Sequence, residues 1–459
     1  MSPAALSTAR IRAVRRLREA SDTIRSARIP LAVAAAVLAV TLAMLVWNAA
    51  QYPWLKGPDA YAGWQYTRVV TDHHRLPTMS ETDVWHNPPL FFAVAGQIEV
   101  AARHVGFTTP EHAVQLLSAL CVFGIVIFSG LIARALFPSR PWLWVAALTV
   151  AALTPVLIRA GSLYHPEPLA TLLATAGLYV VVRALAEGGT GWKTGLVAGV
   201  LLALANLTRT WALATAAAVV VGLVLAELVR RDRQALIAAG IVVAVMAVLT
   251  GPWFAYKAIE HGSPLAYSQP NPEQWRNRGR PFAFWADPAV NDLFTRPYFS
   301  AFRNHLVPVT YADWWGDYWR TYRVPPELHD GQGVLPDEYG QPLVRQVWLG
   351  LWISIAALAG AAALTIRSIR RRDAALGTVL LSLGFLAVSY AGFLWRYPKQ
   401  DGDNIKALYV LNAVPVIALA AGYAIERVAS EGLLLRAGVL LATLAVALST
   451  LAFVVLPHA

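Results

Sequence analysis

Long apolar runs constrain this chain more than any other feature of its sequence. The first extends from Pro30 to about Ala50, and about ten more follow it. A stretch of roughly 20 apolar residues is long enough to cross a bilayer as a helix. Hydrophobic residues make up 57% of the chain and charged residues 14%, and a soluble protein cannot bury that much apolar surface. The sequence therefore predicts an all-α polytopic membrane protein with about eleven transmembrane helices.

The positive net charge has an explanation that does not involve nucleic acid. The formal net charge is +11, but the arginines form short clusters between apolar runs, as cytoplasmic loops do. No nucleic-acid partner is therefore expected. The one cysteine, Cys121, lies inside an apolar run and is predicted to be a packing residue.

The distribution of Lys and Arg predicts the orientation of the chain. A basic segment, 1–29, precedes a first apolar run that is too long for a signal-peptide core, so we expect an uncleaved anchor with a cytoplasmic N-terminus. Alternate gaps between the runs carry Lys or Arg, whereas the intervening gaps hold most of the loop His, Trp and Asp. This alternation predicts a multi-pass protein of the cell membrane with its chemistry on the non-cytoplasmic face.

Four segments follow from this pattern: a basic N-terminus (1–29), a transmembrane module (30–256) with an outer loop (51–110), a large outer loop (257–345) and C-terminal transmembrane helices (346–459). Within the first outer loop, the stretch from Pro88 to Gly106 is too short and too polar to span a bilayer. It is predicted to be an interfacial helix.

The loop 257–345 is rich in aromatic residues, which leaves its role open between two interpretations. Aromatic rings can stack on sugar faces, or they can anchor and pack a loop at the level of the lipid headgroups. The tryptophans concerned are Trp275, Trp285, Trp314, Trp315 and Trp319.

Asp59 is the first candidate for catalysis. It follows the first predicted span, where partial desolvation at the membrane surface is expected to raise the pKa of a carboxylate towards that of a useful base. An Asp after Pro in a turn is the structural alternative.

Two histidine-containing elements lie in the same predicted outer regions. His86 precedes Asn87-Pro88-Pro89 and is a candidate to bind substrate or to cap a helix. His165 and Glu167 lie in a short outer turn, where they are candidates to position an acceptor hydroxyl or to help bind a divalent cation. One His and one carboxylate do not define a metal site, so the metal requirement stays open.

Two cations in predicted outer positions run against the positive-inside tendency. Arg209 lies between two spans and Lys406 opens another, with Tyr409 three residues further on. A guanidinium matches phosphate oxygens in a bidentate manner, so Arg209 and Lys406 are predicted to bind a phosphate. Snorkelling to lipid headgroups is the alternative for Arg209, and neutralisation by nearby aspartates is the alternative for Lys406.

The order of these elements resembles the GT-C superfamily of glycosyltransferases that use polyprenyl-phosphate sugars. The closest similarity is to the dolichyl-phosphate-mannose protein mannosyltransferase group and its bacterial relatives. It is carried by the early Asp59, the His86-x-Pro-Pro-Leu90 element, the Leu207-Thr208-Arg209 element and the late Lys406-x-x-Tyr409 element. Where family members often have Asp-Glu, this chain has Asp59-Ala60.

The resemblance implies a GT-C-like fold and a sugar donor whose phosphate is linked to a polyprenyl chain. It implies that Asp59 accepts the proton of an acceptor hydroxyl, with Glu167 as a second catalytic carboxylate. Arg209 and Lys406 would bind the donor phosphate, and substrate contacts would come from His86, His165 and Tyr409. The expected partners are the lipid-linked donor, a glycan, lipid or protein acceptor, and membrane lipids. No cofactor is certain, and the divalent cation raised above is the one candidate.

Two functions of other classes remain compatible with the sequence. A flippase or transporter of a lipid-linked envelope intermediate is the first, and a scaffold without catalytic activity in envelope assembly is the second. Ion-coupled transporters usually carry charges in the middle of their spans, where this chain has almost none. The sequence therefore favours a glycosyltransferase.

Overall fold

The computed structural model describes residues 28–266, 282–299, 301–302, 304–328, 333–397 and 402–456. Residues 1–27 of the predicted basic N-terminus, and Trp275 of the large loop, lie outside the described residues. Regular structure in the described ranges is entirely helical. The all-α prediction is therefore confirmed.

The helices follow one another along the chain with short connections in the N-terminal half. Two 3₁₀-helices, Pro326–Leu328 and Ala407–Ala413, accompany the α-helices. The α-helices are α1 (Arg28–Gln51), α2 (Ala60–His73), α3 (Leu90–His104), α4 (Glu111–Leu136), α5 (Pro141–Ala152), α6 (Pro155–Ala160), α7 (Glu167–Glu187), α8 (Trp192–Thr208), α9 (Ala212–Arg230), α10 (Arg233–His261), α11 (Phe282–Ala286), α12 (Val290–Leu293), α13 (Leu306–Trp315), α14 (Asp337–Arg371), α15 (Ala374–Arg396), α16 (Val414–Ser430) and α17 (Leu433–Val454).

Nine helices within the described ranges are long and apolar enough to cross a membrane, and α5 and α8 are shorter apolar helices. Together they occupy the positions of the predicted spans, so the protein is a multi-pass membrane protein. The orientation of these helices and the four-segment division of the chain stay predictions. The stretch expected to form an interfacial helix is helical, as α3. Its location at the membrane surface stays a prediction.

The apolar run at about 142–158, one of the eleven predicted spans, forms two helices rather than one. Its first part, α5, ends at Ala152, and α6 starts at Pro155 after an extended Thr154 (ψ 108°). Proline has no N–H to continue the helical ladder, and it disfavours the helical conformation in the residue before it. The break turns the chain so that Arg159, on α6, is buried inside the protein.

Helix α16 lies at the centre of the bundle, where it packs against α4, α5, α14 and α17. Glycines allow the closest of these approaches. A Cβ added to Gly360 of α14 would lie 1.9 Å from the Ala420 carbonyl oxygen, and one added to Gly422 would lie 2.7 Å from the Ala147 nitrogen. Since no side chain separates these backbones, α16 is held firmly, and the 3₁₀ turn that precedes it inherits a defined position.

The described part of the aromatic-rich loop packs onto the helical bundle. Trp314 and Trp315 are buried, and the Trp315 indole donates a hydrogen bond to Ser354 Oγ of α14 at 2.9 Å. Arg159 of α6 binds this loop through ion pairs of 3.0 Å to Asp313 and to Asp317. For these two tryptophans the structure favours packing over a sugar-stacking role.

Candidate active site

Asp59 lies directly before α2 in a strained backbone conformation. Its φ of 56° and ψ of 12° are left-handed, and its side chain makes no capping hydrogen bond to the helix that follows. Asp59 is an exposed residue, and its carboxylate does not serve as a helix cap. Residues in such conformations persist where the surrounding structure fixes them, often at functional sites.

The charges around Asp59 change its acidity in the direction opposite to our expectation. Burial by the surrounding protein alone would raise the pKa of Asp59, but the positive charges of Lys406 and Arg209 lower it below its ordinary value. The expected rise is therefore wrong, because these cations outweigh desolvation. Asp59 is ionised at neutral pH.

Arg209 follows the last residue of α8, and two side chains hold its guanidinium. Its Nε donates to Glu167 Oε1 at 2.6 Å, and its Nη1 donates to Asn87 Oδ1. Arg209 and Glu167 are both buried. Glu167 begins α7 and Asn87 precedes α3. The ion pair to Glu167 and the hydrogen bond to Asn87 therefore fix these two segments to the end of α8.

Lys406 stands in the turn before α16, with Asp403 as its ion-pair partner at 3.3 Å. Both cations lie against the ring of Tyr409: the Arg209 Cζ is 5.6 Å from the ring centroid and the Lys406 Nζ is 6.0 Å from it. Trp211 stacks on this ring, with the centroids 5.9 Å apart. The ring of Tyr409 therefore contacts both cations.

His86 and His165 complete the cluster, and both are uncharged at neutral pH. Burial, reinforced by the positive charge of Arg209, lowers the pKa of each to about 3. His165 Nδ1 accepts a hydrogen bond from the Glu167 N–H at 3.3 Å, so the neutral ring carries its proton on Nε2. His165 can therefore donate one hydrogen bond without bringing a charge.

The structure brings all seven predicted site residues into one cluster, contributed by distant parts of the chain. Asp59 interacts electrostatically with His86, His165, Arg209 and Lys406. Glu167 and Tyr409 join through Arg209. Whether each residue has its predicted role stays a prediction; Glu167 in particular is bound to Arg209.

Two residues of this cluster were not predicted from the sequence. Asn87 orients Arg209, and Lys257 donates from Nζ to the His86 carbonyl oxygen at 3.3 Å while its side chain is buried. Lys257 is a further outer-side cation by the predicted topology, so the criterion that identified Arg209 and Lys406 would have found it. Nothing in the sequence marks Asn87 as a partner of a residue 122 positions away.

The charges of the described cluster balance. Arg209, Lys406 and Lys257 are positive, and Asp59, Glu167 and Asp403 are negative. The histidines add no charge. For the divalent cation, the described ranges contain no group of three or more His, Cys, Asp or Glu that could hold a metal ion.

Comparison with known proteins supports the resemblance seen in the sequence. The family model for dolichyl-phosphate-mannose-protein mannosyltransferase matches residues 92–260, which include His165, Glu167 and Arg209. No curated protein matches the sequence significantly.

Two archaeal structures share the fold. The Archaeoglobus fulgidus oligosaccharyltransferase tethered to an acceptor peptide aligns over 92% of this chain and 54% of its own, with 17% identity and a TM-score of 0.56. AglB from the same organism, in complex with an inhibitory peptide and a dolichol-phosphate, aligns over 92% and 55%, with 15% identity and a TM-score of 0.54. ArnT from Cupriavidus metallidurans bound to undecaprenyl phosphate aligns over 88% and 80%, with 19% identity and a TM-score of 0.37.

The chain spans about half the length of the two archaeal proteins. The predicted GT-C-like architecture is confirmed by their fold. Residues 92–260 match the family model for dolichyl-phosphate-mannose-protein mannosyltransferase.

Proposed function

We propose that the protein is a membrane glycosyltransferase that moves a sugar from a polyprenyl-phosphate donor to an acceptor hydroxyl on the non-cytoplasmic face. One observation carries the proposal: an accessible, ionised carboxylate, Asp59, faces two buried cations, Arg209 and Lys406. A carboxylate and a neighbouring phosphate-binding pair are the two groups that such a transfer needs.

The cations suit a phosphate that gains negative charge during the reaction. Arg209 and Lys406 are already held by Glu167, Asn87 and Asp403 before any donor arrives. Positive groups fixed in advance stabilise developing charge without the cost of reorganisation. The archaeal structure that contains a dolichol-phosphate has this fold, which supports a lipid phosphate as the ligand. The lipid tail would lie between the apolar helices.

Asp59 would act as the base. The acceptor oxygen attacks the anomeric carbon, the bond from that carbon to the phosphate oxygen breaks, and its electron pair stays on the phosphate. The acceptor hydroxyl proton passes to Asp59. Attack from the side opposite the leaving phosphate inverts the anomeric configuration.

The remaining residues have supporting roles in this proposal. Glu167 orients Arg209 through the 2.6 Å ion pair, and we assign it a positioning role. His86, His165 and Tyr409 line the donor side. The neutral His165 can donate a hydrogen bond to a sugar or phosphate oxygen without changing the charge of the site.

The test is transfer of a labelled sugar by the purified protein in proteoliposomes. A panel of polyprenyl-phosphate sugars serves as donors, and a cell-envelope extract supplies acceptors. We expect a new glycosidic product that depends on one donor. Movement of the donor across the vesicle membrane with no new glycosidic bond would instead identify a transporter, and failure of every donor with folded protein would reject the enzymatic proposal.

A further inference from the structure

A cavity lies between the end of α1 and the start of α14. Its volume is about 440 Å³, within the range of roughly 300 to 1,000 Å³ that is usual for small-molecule sites. The ends of α1 and α17, the start of α14 and the segment 317–324 form its walls. None of the predicted site residues lines it.

Aromatic rings form much of the cavity wall. Tyr52 and Tyr322 stack on each other with centroids 5.3 Å apart, and Tyr339 and Phe453 also line the cavity. The hydroxyls of Tyr52 and Tyr322 donate to backbone carbonyls of Thr321 and Val454 at 2.7 and 3.0 Å. These bonds hold the two rings in place as a rigid, buried part of the wall. Tyr339 is partly exposed, and its ring face suits the C–H face of a sugar.

The polar groups of the cavity supply both donors and acceptors. Arg323 contributes a guanidinium that is partly used by the Phe453 carbonyl at 3.2 Å, and Glu338 contributes an exposed carboxylate. Pro342, four residues after Glu338 in α14, has no N–H, so the Glu338 carbonyl loses its helical donor. Since a sugar hydroxyl both donates and accepts, this mixture matches a polyhydroxyl ligand.

The charge of the cavity does not favour a phosphate. Arg323 is opposed there by Glu338 and by Asp317, and the Asp317 carboxylate is paired with Arg159. The charged wall groups therefore do not leave the surplus of positive charge that an anion needs. A neutral ligand fits better than the phosphate-bearing donor.

The position of the cavity relates it to the reaction. Tyr52 and Tyr322 line it on one side, and they also line a smaller cavity that reaches Pro58 and Lys406. The stacked tyrosines are therefore a shared wall between the 440 Å³ cavity and the vicinity of Asp59. A ligand in the large cavity would lie next to the reacting groups without occupying the donor position.

We propose that this cavity binds a sugar unit of the acceptor, and that the acceptor is accordingly a neutral glycan. The assignment of this sugar as part of the acceptor rests on the proposed transferase function; saccharide binding itself does not. Glu338 and Tyr339 are the specificity-determining residues of the site. They contact a sugar unit that does not itself react.

Saccharide binding is measured first, with full-length protein in nanodiscs and saturation-transfer NMR. The probes are neutral tetrasaccharides of mannose, arabinose and glucose. We expect one of them to bind, and Glu338→Gln to weaken its binding about tenfold, the factor expected from loss of one charge-assisted hydrogen bond. Tyr339→Ala should weaken it further because an aromatic face is removed.

Asp337→Asn is the matched control. Asp337 is the neighbouring exposed carboxylate in the first turn of α14, so it shares any effect on the helix but does not line the cavity. Binding that falls equally in Glu338→Gln and Asp337→Asn, or that no tetrasaccharide shows, overturns the proposal.

Transfer kinetics separate this proposal from the proposed function. With a labelled donor, Glu338→Gln should raise the acceptor KM and leave the donor KM unchanged. Saccharide binding by a protein that transfers no sugar would reject the transferase function but retain the saccharide site. Transfer to a non-glycan acceptor with an unchanged acceptor KM in Glu338→Gln would reject the glycan acceptor and retain the transferase.

Discussion

Asp59 combines backbone strain with an unusual electrostatic setting. A left-handed conformation in a non-glycine residue costs on the order of 1 kcal/mol, and Asp59 gains no helix cap in return. The conformation holds the carboxylate next to Lys406 and Arg209. The lowered pKa makes Asp59 a weaker base but keeps it ionised in acidic medium. In the proposed reaction, a base that stays ionised is available at every encounter with an acceptor.

We predict that Asp59→Asn lowers the rate of sugar transfer by about 10²- to 10⁴-fold, the usual contribution of a general base. Folding should be unaffected, because the side chain does not cap α2. The measurement is initial rate in proteoliposomes. Asp72→Asn, the same change at an exposed position of the same helix, should retain the wild-type rate; equal losses in both variants would remove Asp59 from the catalytic role.

The two histidines predict how stability depends on pH. Their pKa in the folded protein is about 3, below the ordinary 6.5, so the unfolded chain binds more protons between these values. Stability should therefore fall as the pH is lowered from about 6.5 towards 3. We expect a lower Tm in detergent at pH 5 than at pH 7.5, with a smaller difference in His165→Gln. A Tm difference that His165→Gln leaves unchanged would argue against a neutral buried His165.

At the scale of elements, the Arg159 cluster, which consists of Arg159, Asp313 and Asp317, connects the aromatic-rich loop to the site. Asp313 Oδ2 accepts the Ala407 N–H at 2.7 Å, immediately after Lys406, while its Oδ1 faces Arg159 at 3.0 Å. Asp317 binds the same arginine but directs its other oxygen to the Tyr322 N–H at 2.7 Å. Of these two carboxylates, Asp313 is therefore the one that binds the turn that carries Lys406.

This difference predicts unequal effects of two equal substitutions. In Asp313→Asn the amide must direct its NH₂ at one of two donors, so either Arg159 or Ala407 loses its hydrogen-bond acceptor. In Asp317→Asn either Arg159 or Tyr322 loses its acceptor in the same way, but the turn that carries Lys406 keeps its bond to Asp313. Both variants should be destabilised by up to about 3 to 5 kcal/mol, as for broken buried ion pairs. Only Asp313→Asn should raise the donor KM, by about tenfold.

Donor titrations of the two variants at a temperature where both remain folded provide the measurement. A donor KM that rises equally in Asp317→Asn would mean that loss of the Arg159 cluster acts through general loosening. A normal donor KM in Asp313→Asn would remove the link between this carboxylate and Lys406.

At the scale of the whole molecule, the fold was more predictable than the site. Apolar runs indicate transmembrane helices directly, because a helix needs about 20 apolar residues to cross a bilayer whichever helices it packs against. The break before Pro155 was missed because the apolar run continues through it. Site residues such as Arg209 were predicted because their positive charge lies on the predicted outer side, against the positive-inside tendency. The contacts of Asn87 with Arg209 and of Asp313 with Ala407 depend on long-range packing, which no local sequence pattern encodes.

Orientation is the whole-molecule property that we predict from charge alone. In a Cys121→Ser background, which removes the one cysteine, Ser80→Cys and Ser430→Cys are nearly isosteric changes at exposed positions. A membrane-impermeant maleimide applied to intact cells should label Ser80→Cys, near the site, and not Ser430→Cys, at the end of α16. The reverse pattern would put the cluster in the cytoplasm.

The balance of three positive and three negative side chains in the described cluster has a consequence for release of the spent carrier. In the proposed reaction, the lipid phosphate becomes a monoester when the sugar departs, and it then carries up to two negative charges. It then faces Asp59, Glu167 and Asp403 as well as the cations. A cluster with unopposed positive charge would retain this product, whereas a neutral one lets the carrier diffuse back into the bilayer and make room for the next.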